Sequence, residues 1–142
     1  VKSLLDKAQS ERIVAAIGEA EKRTSGEIRV HLHHKKVEDP IAAGRAVFEK
    51  LGMAGTELRN GVLIFVAPRS KNFAILGDSG IHAKCGDDFW SAVAEKMSDH
   101  FGRGEFAEGI AQAVAEAGEQ LGRHFPRARD DVNELPDEID EG

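Results

Sequence analysis

The chain is predicted to form an α/β fold, a three-layer α/β/α sandwich around a small mixed sheet. Three observations predict it. Helical and strand-like periodicities alternate along the 142 residues. The run Gly61–Ala67 is continuously apolar, as in a strand buried on both faces. The turn Pro68-Arg69-Ser70-Lys71 is too short for a crossover, so the next strand must return antiparallel.

Residues 10–24 read as the first helix. Ser10 is the expected N-cap, Ile13, Ile17 and Ala20 form the apolar stripe, and Gly26 lies past the end. In Glu27–His34, Ile28, Val30 and Leu32 alternate with Arg29, His31 and His33, the period of a half-buried strand. Asp39 as N-cap and Pro40 at the first helical position open a second helix, lined by Ala43, Val47 and Leu51 and ended by Gly52. The Gly61–Ala67 strand follows, and Phe73–Leu76 is its antiparallel partner, broken by Gly77-Asp78-Ser79-Gly80. A third helix is expected to start at Gly86 or Asp87 and to bury Phe89, Trp90, Val93, Met97 and Phe101. Phe106, Ile110, Val114, Ala117, Leu121 and Phe125 keep helical spacing in a long fourth helix, stopped by Pro126. Residues 1–125 thus read as one domain. Residues 126–142 lack periodicity and read as an acidic, mobile tail with Val132, Leu135 and Ile139 as anchors. The first two strands, joined through a helix, should be parallel.

Composition narrows the function. Of the net charge of −6, most resides in the tail, where seven acidic residues face Arg127 and Arg129. The body is nearly neutral and lacks the basic surface of a nucleic-acid binder. No apolar run approaches the ~20 residues that cross a bilayer. Cys85 is the one cysteine, which excludes an internal disulfide and favours a reducing compartment. The expected location is cytoplasmic; Val1 is not an initiator methionine, so an upstream segment stays open.

Topology gathers polar residues at one rim. The end of the third strand should lie beside the beginnings of the first two. That convergence joins the loops Ser25–Glu27, Thr56–Asn60 and Asp78–Gly80 to the start of the third helix. Glu27, Glu57, Asn60, Asp78, Asp87 and Asp88 collect there. Clustered carboxylates repel unless a positive charge intervenes, and either Arg59 or a bound cation can supply it. Hard oxygen donors without cysteine suit calcium, or less well magnesium. The plainer alternative is that Asp87 caps a helix, Asp78 sits in a turn and Asn60 in a bend.

Other signals weigh less. Gly77-Asp78-Ser79-Gly80 mimics a serine-protease nucleophile segment, but no matching framework accompanies it. His31, His33 and His34 lack a third ligand on one face and read as a polar or helix-packed outer face of an edge strand. Cys85 has no phosphate-holding Arg after it and reads as a small half-buried residue. His82 reads as solvent-facing.

The segments Thr24-Ser25-Gly26-Glu27-Ile28, Asn60–Ala67, Gly77-Asp78-Ser79-Gly80-Ile81 and Gly86-Asp87-Asp88-Phe89-Trp90 resemble the TPM domain family in the order in which they occur. The likeness covers about residues 10–125, and Asn133–Ile139 is similar to the tail of small stand-alone bacterial members. The resemblance implies an α/β/α sandwich and calcium held in the loops at one end of the sheet. It implies Asn60, Asp78, Asp87, Asp88 and Glu27 as metal residues. Many members have an acidic residue just before the Asn, where this chain has Arg59, with Glu57 as a replacement. A plant member is credited with acid phosphatase activity. The expectation is therefore a calcium-binding domain with a structural or interaction role and an unknown protein partner. The alternative is a metal-dependent acid phosphatase at the same loops. A third reading is a metal-free adaptor that uses the tail.

Overall fold

The computed structural model describes residues 5–127 and 139–142. The expected tail anchors Val132 and Leu135, and residues 133–138 of the tail motif, lie outside the described residues.

Helix α1 spans Lys7–Glu21. It starts before the expected Ser10 because Asp6 is the cap. Gln9 N–H donates to Asp6 Oδ1 (2.7 Å) and Asp6 N–H to Gln9 Oε1 (2.9 Å). This reciprocal box satisfies two amides that a helix start leaves bare. Strand β1, Glu27–Leu32, follows, then helix α2, Pro40–Lys50. Asp39 caps α2 as expected, accepting from the amides of Ile41 and Ala42 at 3.1 Å each. Strand β2 is Gly61–Ala67 and strand β3 is Asn72–Gly77. Helix α3 runs over Ser79–Gly102, helix α4 over Phe106–His124, and a two-residue strand β4 over Asp140–Glu141.

The sheet order is β3-β2-β1-β4. β1 and β2 are parallel, and β2 and β3 antiparallel, both as expected. Ile28, Val30 and Leu32 of β1 join Val62, Ile64 and Val66 of β2 in a core with α1, α3 and α4. Leu63, Phe65 and Ala67 face the other way and pack with Phe48 of α2 and Met53. The molecule is thus three layers, α2 / sheet / α1-α3-α4. β2 is apolar on both faces and would tolerate a slip. The alternation in β1 does not, because a shift by one residue would drive Arg29 and His31 into the main core.

Two elements differ from expectation. α3 begins not at Gly86–Asp87 but at Ser79, capped by Asp78. Gly86 (φ 74°, ψ 175°) is a kink inside it, in a backbone region that favours glycine. β1 is not a half-buried edge strand: all six residues are buried, and β4 pairs beyond it. Asp140 and Glu141, at the end of the aperiodic acidic segment, supply that partner, while Ile139 packs against the main core. The aromatic set behaves as core: Phe101 stacks on Phe106 (4.4 Å) and meets Phe73 edge-on (5.5 Å). No described helix is long and apolar enough to cross a membrane.

Candidate functional site

The rim forms because β3 returns. Asp78 N–H donates to Gly61 O (2.9 Å) and Gly80 N–H to Arg59 O (2.7 Å), so the loop after β3 is stitched to the loop before β2. Gly80 is required by this approach. A Cβ there would lie 2.2 Å from Leu58 O and 2.6 Å from Arg59 O. The third loop is held by α4: Ser25 N–H donates to Phe125 O (3.0 Å), as does the Thr24 hydroxyl, and Gly26 N–H donates to Thr24 Oγ1 (2.9 Å).

Asp78 sits at the junction, 8% exposed. One carboxylate oxygen accepts from Ser79 N–H (2.7 Å) as the cap of α3. Arg59 takes the carboxylate from the other side, Nε to Oδ2 at 2.9 Å and Nη2 to Oδ1 at 3.1 Å. This two-pronged geometry is the strong form of an Arg–carboxylate pair. Its hydrogen bond and charge push the Arg59 guanidinium above its ordinary range. Of the two counter-charges open to Asp78 in the sequence, the structure thus supplies Arg59.

The other candidates are distributed unequally. Asn60 is buried, and its Nδ2 donates to Ser25 Oγ at 3.5 Å. Asp87, with its side chain 88% exposed, meets His82 Nε2 at 3.3 Å. Asp78, His82 and Asp87 line an open groove of about 630 Å³ between α2 and α3. Glu27 is buried at the start of β1. Asp88 and Glu57 are exposed. Among the described residues, no three His, Cys, Asp or Glu side chains are grouped to hold a metal ion. The rim donors are hard oxygens of the right chemistry for calcium. They do not surround one point while Arg59 grips Asp78.

The histidines belong to a different feature. His31 Nδ1 meets Asp140 Oδ2 at 2.5 Å, His31 Nε2 meets His33 Nδ1 at 3.0 Å, and His34 Nε2 meets Glu141 Oε1 at 3.2 Å. His31 also stacks on Phe65 at 5.3 Å. They latch β4 onto β1. His31 near the end of β1, and His33 and His34 just beyond it, thus meet acidic residues from the other end of the chain, a pairing that sequence reasoning missed. Burial, then the charge of His31, pushes His33 below its ordinary value. Cys85 is half-buried, and burial pushes its thiol up, away from a reactive thiolate.

Comparison with known proteins adds the family. The TPM domain profile matches residues 2–120. The solution structure of the BA42 protein from the psychrophilic bacterium Bizionia argentinensis has 41% identity and a TM-score of 0.91, covering 100% of this chain and 98% of that one. The N-terminal domain of a P. gingivalis protein has 19% identity and a TM-score of 0.71, over 89% and 84% of the two chains, which bears on the fold alone. Comparison with curated proteins gave no match. With the profile spanning most of its length and four of its segments meeting around one sheet, the chain belongs to the TPM domain family.

Proposed function

We propose that this domain is a calcium-binding module with a structural or interaction role. The observation that carries the reading is the junction at Asp78. Its carboxylate stands where three loops meet and is neutralised by a guanidinium whose side chain is half exposed. The Arg59 end of the pair is open to solvent, so a divalent ion that offers Asp78 the stronger counter-charge can displace the guanidinium. Arg59 would turn to solvent and leave both carboxylate oxygens free for a divalent ion. Asp78, Asn60 and Asp87 are the proposed ligands, with Asp88 and Glu27 as further donors from the same end of the sheet. Calcium bound there would supply the positive charge that cross-links the loops. The single thiol, Cys85, supports a cytoplasmic setting.

The test is a calcium titration of the pure protein followed residue by residue by NMR, with calorimetry beside it. Shifts should centre on the amides of 59–61 and 78–80, and Asp78→Asn should abolish them. Arg59→Ala should bind more tightly than the parent, because a competitor is gone. Absence of any response below millimolar calcium in both the parent and Arg59→Ala would sink the reading.

A further inference from the structure

We propose that the groove between α2 and α3 binds an extended peptide segment of a partner protein, added to the sheet antiparallel to β3. This rests on the free edge of β3; Asp78 and Asp87 serve both this groove and the calcium reading, so the test is run without calcium.

The backbone is the first argument. In an antiparallel ladder, residues alternate between bonding their partner strand and pointing away from it. The Asp78–Gly61 bond sets the phase: Leu76 and Ala74 bond toward Leu63 and Phe65 of β2. Phe73, Ile75 and Gly77 therefore turn their N–H and C=O groups outward. Among the described residues nothing bonds to them. Proteins usually guard such an edge with lysine, proline or a bulge. Asn72-Phe73-Ala74-Ile75-Leu76-Gly77 contains neither residue and keeps continuous register with β2. The opposite edge of the sheet, by contrast, carries β4 over His31 and Leu32.

The walls are the second argument. Ile41 and Arg45 of α2 stand on one side of the β3 edge, and Trp90 and Ala94 of α3 on the other. Ile41 is a large apolar side chain left 50% exposed. Trp90 is 8% exposed, and its buried indole N–H has no acceptor. Its ring lies against Gly77, where an added Cβ would come within 2.8 Å of Cζ2. A strand laid along β3 would pack apolar side chains against Ile41 and the ring of Trp90. Alternate residues of the added strand would face α2 and α3 in turn.

Charge sets the direction and the chemistry of the occupant. Exposed Asp87 lines the groove with Asp78 where β3 finishes, and exposed Arg69 and Lys71 precede its first residue. An antiparallel segment with basic residues before its apolar stretch and acidic ones after it meets both ends favourably. A second copy of this chain fits less well. The groove walls leave β3 recessed, so one strand can enter while two recessed edges would hold two folded domains apart.

The test uses the full chain and a pool of blocked octapeptides. Each has an N-terminal lysine, apolar residues at alternate positions and a C-terminal glutamate. In EDTA, the amides of Phe73, Ile75 and Gly77 and the Trp90 indole N–H should shift and gain exchange protection. Ile41→Glu, at an exposed position that leaves the fold intact, should weaken binding by about tenfold, the scale of one lost apolar contact. Peptides N-methylated at alternate residues, or with the end charges reversed, should bind more weakly. The proposal is overturned if millimolar pool leaves these amides unchanged, or if the response maps elsewhere. It is also overturned if N-methylation has no effect, or if the chain alone pairs through β3 as a dimer. A response that appears only with calcium would detach the groove from the free edge and overturn it as well.

Discussion

Arg59 holds Asp78 by two parallel hydrogen bonds, 2.9 and 3.1 Å, from a backbone in the left-handed region (φ 52°). A non-glycine residue there is uncommon, and the surrounding bonds hold it in place. The Gly80–Arg59 and Asp78–Gly61 bonds fix the peptide groups on either side of the pair. The guanidinium thus reaches the cap of α3 because the loop before β2 is pinned, and the site is built from backbone stitching before any side-chain chemistry acts.

Asp78 has two roles that substitution can separate. Asn caps helices about as well as Asp, whereas Ala does not. Asp78→Ala should destabilise the domain by about 1–2 kcal/mol, the scale of a lost N-cap with a modest ion-pair term. Asp78→Asn should cost less than about 1 kcal/mol, since only the half-exposed pair to Arg59 is lost. Urea unfolding of the two variants checks this. Equal losses would mean that charge, not capping, fixes the start of α3.

Gly80→Ala sets two effects against each other. In an exposed helix the change would stabilise by about 1 kcal/mol. Here the new methyl would meet two backbone carbonyls at 2.2 and 2.6 Å, and backbone cannot step aside as a flexible side chain does. Overpacking of this kind costs about 1–3 kcal/mol, so the net change should be a loss. Thermal unfolding should show a lower Tm, and amide shifts at 58–61 should report the displaced loop. A stabilised variant would contradict the stitched geometry.

How far the sequence could be read follows from which signals are local. Gly61–Ala67 and Asp39-Pro40 were legible because burial on both faces and helix capping each leave a mark within a few residues. The start of α3 was not. Gly77, Gly80 and Gly86 read as breaks, yet Gly80 is there for a close approach and Gly86 for a kink within the helix. The rim was legible as a convergence, and Arg59 as one of two counter-charges. That Arg59 reaches Asp78 with both prongs needed the guanidinium geometry. β4 was illegible because two acidic residues carry no period, and their place depends on histidines more than a hundred positions away.

His33 gives the domain a pH response. Its folded-state value lies below 6.5 through burial and the nearby charges of His31, Lys35 and His34. A depressed histidine is held neutral by the fold, so the unfolded chain binds more protons as pH falls below 6.5. Its contribution is therefore present above pH 6.5 and is lost as pH falls from there through the lower folded value. Melting curves from pH 7.5 to 5 should show declining Tm. His33→Gln should flatten the slope. An unchanged slope would place the pH response elsewhere.

Removal of residues 140–142 tests the latch. The deletion takes away the backbone hydrogen bonds His34 N–H to Gly142 O (2.8 Å) and Gly142 N–H to Leu32 O (3.1 Å), together with the His31–Asp140 and His34–Glu141 contacts. Intramolecular hydrogen bonds contribute about 0.5–1.5 kcal/mol each, so the loss should be about 1–3 kcal/mol. The His34 amide should exchange much faster, because its one acceptor is gone. Amides of β2 should keep their protection, since their ladder with β3 is untouched. Asp140→Asn isolates the side-chain part: it keeps both backbone bonds, so His34 protection should survive. Unaltered exchange at His34 after the deletion would show that β4 does not hold the β1 edge in solution.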